Sequence, residues 1–431
     1  AKYGSMPLDK VMAPAIRLAA EGFEVDSALA ASWVGKDTLI KLFAGADLLF
    51  PGGKPLPRGS RLVQPDLAET LRAVAREGAA GFYRGRVAEK IAAEMTRDCP
   101  TGVTGRARAS HACGLITTQD LANYQPAWRA PLRTTYRGYT LITMPPSSSG
   151  GVTVGESLNI LETFKQLPTF GTPEYFNLVA SAFQRAFVDR NSKLGDPAFV
   201  KVPIDQLLDK SYARRLASTI TPDRHTPTAN LPTGLAEGME TTHYSVVDAK
   251  GNAVATTTTL NSLYGSGVYI RGAGFFMNNE MDDFTSEPGK PNQFGLVQGE
   301  SNAIAPGKRM LSAMSPSIVL DPKGDVLLVV GGRGGPRIIT STAQVILNVI
   351  DNRMSLSDAM GAPRIHHQAL PDTLRYERGG IDSATVQRLR AMGYSLQALD
   401  KVGSTTVAIM RVRGGWEGMP DPRAAGAAVG Y

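Results

Sequence analysis

The chain has 431 residues, enough for one large domain or two ordinary ones with a substantial core. Hydrophobic residues make up 42% and charged residues 20%, the balance of a soluble globular protein, and no run approaches the roughly 18 apolar residues that a membrane span needs. The formal charge of +7 arises from 46 basic and 39 acidic residues scattered without aromatic interleaving, which argues against a nucleic-acid surface.

In chain order, the first half reads as mostly helical. Apolar positions at Val11, Ile16, Leu18 and Ala19, with Gly22 as a stop, predict a helix over 8–20, and 67–76 and 87–97 continue in that manner. Between 98 and 117 both cysteines fall in one glycine-rich excursion. A disulfide clasp between Cys99 and Cys113, suited to an oxidising compartment, and two unrelated thiols both fit it. His111 lies between them, but a fourth ligand for a metal is missing. Residues 118–124 form a short capped helix, and 134–144 a hairpin turning at Arg137-Gly138. Pro145-Pro-Ser-Ser-Ser-Gly-Gly151 is a hard breaker, and behind it 154–164 and 175–188 read as amphipathic helices. Residues 219–239 carry three prolines, two glycines and almost no apolar period, which predicts a loose polar linker.

At Thr241 this linker turns abruptly into strands. Runs at 242–248 and 253–260, joined by Ala249-Lys250-Gly251-Asn252, have the pattern of a hairpin. A hydroxyl residue at a strand start usually reflects β-propensity alone. If the chain breaks at Glu240–Thr241, however, Thr241 gains an α-amine that can serve as general base for its own hydroxyl. Thr259 and Asn261, two apart on the next strand, are expected to project from one face. Glu280 and Asp283 lie in an acidic turn, Asn278-Asn-Glu-Met-Asp-Asp-Phe284, where solvated surface acids and an ammonium-binding pair are both possible readings. A second hairpin, 317–320 with 326–330, leads through Gly331-Gly-Arg-Gly-Gly335 into a helix expected to begin at Pro336. Gly334 and Gly335 suit either a tight turn or an oxyanion site at a helix N-terminus.

Many of these motifs resemble the γ-glutamyltransferase (γ-glutamyltranspeptidase) family. The small-subunit features are Thr241-Thr-His-Tyr-Ser-Val-Val-Asp248, Asn278-Asn-Glu-Met-Asp-Asp-Phe284, Pro306-Gly-Lys-Arg309, Gly334-Gly-Pro-Arg337, Arg364-Ile-His-His-Gln368 and Asp421-Pro-Arg423. Tyr3-Gly-Ser-Met-Pro7, Met144-Pro-Pro-Ser-Ser-Ser-Gly-Gly151 and Gly195-Asp-Pro197 resemble the large subunit. The resemblance runs in order from end to end. It implies an α+β N-terminal-nucleophile (Ntn) hydrolase fold, an αββα sandwich of two antiparallel sheets between helical layers, lacking its N-terminal part. The missing part would include a targeting sequence, strands of the sandwich and an arginine for the substrate α-carboxylate. The expected division is 1–240, a truncated large-subunit portion, and 241–431, the small subunit carrying the nucleophile.

The resemblance also assigns roles. The precursor cuts itself between Glu240 and Thr241, and Thr241 then attacks a γ-glutamyl amide such as glutathione. Thr259 orients the nucleophile, Gly334 and Gly335 form the oxyanion hole, and Asn261, Glu280 and Asp283 hold the glutamyl ammonium. Two positions depart from the family pattern. Ala313 follows Ser312 where many members have paired serines for the α-carboxylate, and Phe294 replaces a lid tyrosine. These changes leave open a related cephalosporin or glutaryl acylase, and an inactive member acting as a binding protein is a further alternative. The implied acceptor is water or an amino acid or peptide, with no metal or organic cofactor, at a periplasmic or extracellular address. His366 and His367 are expected to hold structure.

Overall fold

A computed structural model of the protein describes residues 3–43, 45–97, 114–228, 241–290, 292, 293, 296 and 298–430, which fall into two compact units. One unit comprises Ala1–Trp128 and Ser262–Asn279. Its helices Leu8–Glu21, Pro65–Glu77 and Gly85–Met95 match the three read from the sequence to within a turn at each end. Glycines end two of them: Gly22 and Gly78 lie at φ +79° and +61°, where a side chain would be strained. A short ladder pairs β1 (Phe23–Glu24) with β2 (Arg61–Leu62). Val268, Ile270 and Ala273 pack with Val87 and Ile91, and this apolar burial fastens residues 262–279 to the unit.

The other unit, Arg129–Asn261 with Glu280–Tyr431, carries the remaining strands. These are β3 (Leu132–Tyr136), β4 (Tyr139–Thr143), β5 (Thr242–Val247), β6 (Ala253–Thr258), β7 (Ser317–Leu320), β8 (Val326–Arg333), β9 (Ile365–His366), β10 (Leu374–Glu377), β11 (Leu396–Leu399), β12 (Thr405–Val412) and β13 (Gly415–Pro420). Six form an antiparallel sheet in the order β13-β12-β8-β7-β4-β3, while β5 and β6 make a separate hairpin. The β3–β4 turn falls at Arg137-Gly138 as read, with φ +53° and +84°, the left-handed pair that matches strand twist in a tight hairpin. Strands from both sides of residue 240 share the six-stranded sheet, so a division at residue 240 does not follow the compact units.

Residues along β8 decide the layering. Leu328 and Val330 enter the core with Ile339, Ala343 and Leu347 of the helix Arg337–Ile350, whereas Gly331 faces the hairpin. A Cβ added at Gly331 would stand 2.2 Å from the His243 ring, so only glycine permits this approach. The layers run helices, six-stranded sheet, hairpin, which are three of the four expected. The outer face of the hairpin presents Tyr244, Val246 and Val254 at 51%, 44% and 51% exposure.

Three details differ from the sequence reading. The helices Gly150–Glu162 and Pro173–Lys193 are not amphipathic: residues 150–161 and 175–191 are all buried, because each packs between other elements. The first begins at Gly150, inside the supposed breaker. A Cβ there would lie 2.3 Å from Met314 O, and one at Gly151 would lie 2.1 Å from Met144 O, so the glycines serve close packing. Finally, residues 219–228 are not loose. Arg185 donates to Thr219 O (2.7 Å), Asn177 to Thr221 O (2.9 Å), and Gln184 to Thr226 O (2.9 Å) and Thr228 Oγ1 (2.6 Å). Polar side chains of a buried helix hold this segment, and an apolar period cannot reveal that. The rest of the predicted linker, with Glu240, lies outside the described residues, as do Cys99, His111, Cys113 and Phe294.

Candidate active site

Thr241 stands just before β5 and Thr259 just after β6, and the register Thr242↔Thr258 brings these two hairpin ends together. The Thr241 hydroxyl donates to Thr259 Oγ1 at 3.4 Å, and the Asn261 N–H donates to the same oxygen at 2.8 Å. β6 ends at Thr258 and Asn261 adopts φ +71°, so Thr259 and Asn261 do not share the face of one continuous strand as their spacing predicts. The Thr259 hydroxyl captures the Asn261 N–H locally in place of a ladder bond, and asparagine tolerates the left-handed conformation that results. Both residues nevertheless line one pocket with Thr241, Asp283, Ser312, Ala313 and Gly335.

Asp283 enters this pocket from the 3₁₀ turn Glu280–Asp283. Its carbonyl is held by Gln298 Nε2 (3.2 Å) and Asn302 Nδ2 (2.7 Å). Burial, with the nearby Glu280 carboxyl, pushes Asp283 well above the usual carboxylate range, while Arg190 pulls it down. Burial also pushes Glu280 up to about 7. Desolvated carboxyls of this kind are not solvated surface acids. Their ionised forms would be stabilised by an incoming ammonium. Glu280 belongs to the turn but does not line the pocket.

Another wall is built by a segment that the sequence reading treats as a breaker and a family-like motif, without a place in the site. Ser149 donates to Ser312 O from both its N–H (2.8 Å) and its hydroxyl (2.6 Å), and Ser312 N–H donates to Ser147 O at 3.0 Å. Ser312 Oγ donates to Ser148 Oγ (2.8 Å), which donates onward to Met314 O (2.7 Å). The serine run is therefore a clamp on residues 312–314. Ala313 faces the pocket beside Ser312 without a hydroxyl. The fully buried Arg190 lines the pocket as well, and sequence reasoning missed it. An arginine amid the apolar residues of the Pro173–Lys193 helix was the available signal.

Gly334 and Gly335 lie at φ +129° and +56°, so both need a conformation that glycine supplies. Their carbonyls accept from the N–H groups of Arg337 (3.2 Å) and Ile338 (3.1 Å) as the helix Arg337–Ile350 begins, with Pro336 as its N-cap. Gly335 lines the pocket; Gly334 lines a neighbouring cavity with Arg333 and Ser404.

The histidines stand apart from the pocket. His366 bonds Thr340 Oγ1 (2.9 Å) and Gln368 Oε1 (2.8 Å), and burial holds it well below the usual imidazole range. His225, His367 and Asp372 are, among the described residues, a set with donor atoms close enough for a metal. The Ala369 N–H donates to His367 Nδ1 at 3.2 Å, which leaves the ring proton on Nε2, the atom nearest Asp372. A metal-bound Nε2 requires that proton on Nδ1 instead. This group is better described as a hydrogen-bonded clamp: Asp372 also accepts from Thr228 N–H at 2.7 Å.

Residues 1–431 match the family model described as Gamma-glutamyltranspeptidase. The chain belongs to the γ-glutamyltranspeptidase family. It is 42% identical over 428 residues to a glutathione hydrolase proenzyme of Escherichia coli (strain K12), an alignment covering 98% of this chain and 71% of that protein. An acylase ACY 1 proenzyme of Pseudomonas sp. (strain SE83) is 38% identical over 412 residues, covering 95% of this chain and 68% of its own length. Among solved structures, the cephalosporin acylase of Bacillus halodurans superposes with a TM-score of 0.80 at 26% identity, over 98% of this chain and 74% of that one. The expected α+β fold of the γ-glutamyltranspeptidases holds, with antiparallel sheets against helices.

Proposed function

We propose that this γ-glutamyltranspeptidase family member is an autoprocessing enzyme that cleaves γ-glutamyl amides, glutathione among them, through an ester on Thr241. In the precursor, the Thr241 hydroxyl adds to the Glu240 carbonyl, an N→O acyl shift follows, and water releases a new amino terminus at Thr241. The freed amine then takes the proton of the Thr241 hydroxyl as oxygen attacks the donor's γ-carbonyl. Gly334 and Gly335 supply backbone N–H groups to the tetrahedral oxyanion. The amine passes its proton to the departing nitrogen, and water or an acceptor amine later cleaves the ester. Thr259 orients the nucleophile. Asn261 and Asp283, with Glu280 behind them, take the donor ammonium, and Ser312 takes its carboxylate. The two chains stay together as large and small subunits, at a periplasmic or extracellular address. No helix among the described residues is long and apolar enough to cross a membrane.

One observation carries this reading: the Thr241 hydroxyl points at Thr259 in a pocket that also holds a desolvated carboxyl and a positive-φ glycine. Steady-state kinetics with a γ-glutamyl anilide and a dipeptide acceptor test it. Parallel double-reciprocal lines and a mass increase confined to the Thr241 peptide are expected. Hydrolysis without any covalent species would overturn it. A second reading, an acylase of different acyl preference, is favoured by Ala313 in place of a hydroxyl, and the relative named acylase keeps it open. Faster turnover of glutaryl or cephalosporin amides than of γ-glutamyl amides would select it.

A further inference from the structure

Arg190 lies near the end of the helix Pro173–Lys193 and is 1% exposed. Its guanidinium donates through Nε to Ser149 Oγ (3.0 Å) and through Nη1 to Gln298 Oε1 (3.2 Å). Each of these partners reaches one wall of the pocket. Ser149 Oγ donates to the carbonyl of Ser312 (2.6 Å), and Gln298 Nε2 donates to the carbonyl of Asp283 (3.2 Å). One fixed, planar cation lining the pocket thus ties the serine wall to the acidic wall, a task suited to the rigid fork of arginine and not to lysine. Its charge matters too. Burial of Asp283 favours the neutral acid, which cannot hold an ammonium as an ion pair, and Arg190 opposes that protonation.

We propose that Arg190 is the positioning residue that sets donor specificity in this pocket. It fixes the separation of Ser312 and Asp283 and places a cation near the acidic wall, so that a donor bearing an ammonium and a carboxylate on one carbon is preferred to an acyl group bearing the carboxylate alone. The inference rests on the γ-glutamyl reading of the site. It adds that the preference is imposed through the two walls that this residue ties together.

The test compares γ-glutamyl-p-nitroanilide with glutaryl-p-nitroanilide, which lacks only the ammonium, in the wild type, Arg190→Lys, Arg190→Met and Gln298→Leu. In Arg190→Met the ratio of the two kcat/KM values should fall by at least about tenfold, and the loss should enter through KM for the γ-glutamyl donor. Arg190→Lys should recover part of the ratio by restoring the charge. Gln298→Leu keeps the arginine but cuts its tie to Asp283, and should lower the ratio by about threefold. A purely structural arginine would slow both donors alike, so ratios within about twofold of wild type in the variants that mature overturn the inference. If Arg190→Met does not mature, the lysine and Gln298 variants decide the matter by the same criterion. A wild type that hydrolyses neither anilide sinks the γ-glutamyl reading itself. A wild type that discriminates while its variants keep the ratio sinks only the role of Arg190.

Discussion

Replacing Thr259 with alanine is expected to slow donor turnover without unfolding the protein. Its hydroxyl oxygen receives hydrogen bonds from the Thr241 hydroxyl at 3.4 Å and from the Asn261 N–H at 2.8 Å. The first is long for an O–H···O bond and is worth about 0.5 kcal/mol; the second has full strength, at about 1–1.5 kcal/mol. Asn261 at φ +71° also loses the brace that holds its left-handed backbone. Together these amount to about 2 kcal/mol, or about thirtyfold in kcat/KM at 1.36 kcal/mol per factor of ten. Thr259→Ser keeps the oxygen and should stay within about threefold of wild type. Initial rates on a γ-glutamyl anilide, normalised to the processed fraction on a denaturing gel, measure both variants. An alanine variant as fast as wild type would refute the reasoning, as would a serine variant as slow as the alanine one.

Gly331→Ala should lower stability by about 1–3 kcal/mol and slow processing, since its Cβ would stand 2.2 Å from the His243 ring and lift the hairpin that carries Thr241. Thermal melting and the rate of chain scission would register both effects, and an unchanged melting temperature would contradict the packing argument. Burial raises Glu280 from 4.5 to about 7, so the folded state binds its proton more tightly than the unfolded state does. That stability is present below about 4.5 and is lost as the pH rises towards about 7. Glu280→Gln should therefore exceed the parent by about 1–3 kcal/mol near pH 8 and match it near pH 4 in urea titrations, and the opposite trend would contradict the assignment. Asp372→Ala strips the acceptor from Thr228 N–H and His225 Nε2, at a cost of about 2–4 kcal/mol, and should speed hydrogen exchange across 219–228 while leaving β12 protected. Uniform exchange across the unit would argue against a local anchor.

Much of the fold was legible wherever local periodicity or turn chemistry decides it. The Arg137-Gly138 hairpin, the 8–20 helix and the strands on either side of residues 249–252 follow from residues that act on their immediate neighbours. What escaped depends on distant partners. Gly150 and Gly151 look like helix breakers until the backbones of Met144 and Met314 are seen pressed against them. The 219–228 segment looks loose because its order comes from Asn177, Gln184 and Arg185, side chains of another element. The site shows the same split. Thr241, Thr259, Asn261, Asp283, Ser312, Ala313 and Gly335 line one pocket, while Glu280 and Gly334 do not. The serine run 147–149 and Arg190 stand out in the sequence, but their partners Ser312 and Gln298 come from distant segments that only the fold brings to them.

Everything in the proposed chemistry requires an amino terminus at Thr241. Mass-spectrometric mapping of the purified wild type beside Thr241→Ala tests this most directly. The wild type should yield two chains, the second beginning at Thr241, and the alanine variant one uncut, inactive polypeptide. A fully active wild type that is continuous through Glu240–Thr241, or an alanine variant that matures normally, would contradict the account.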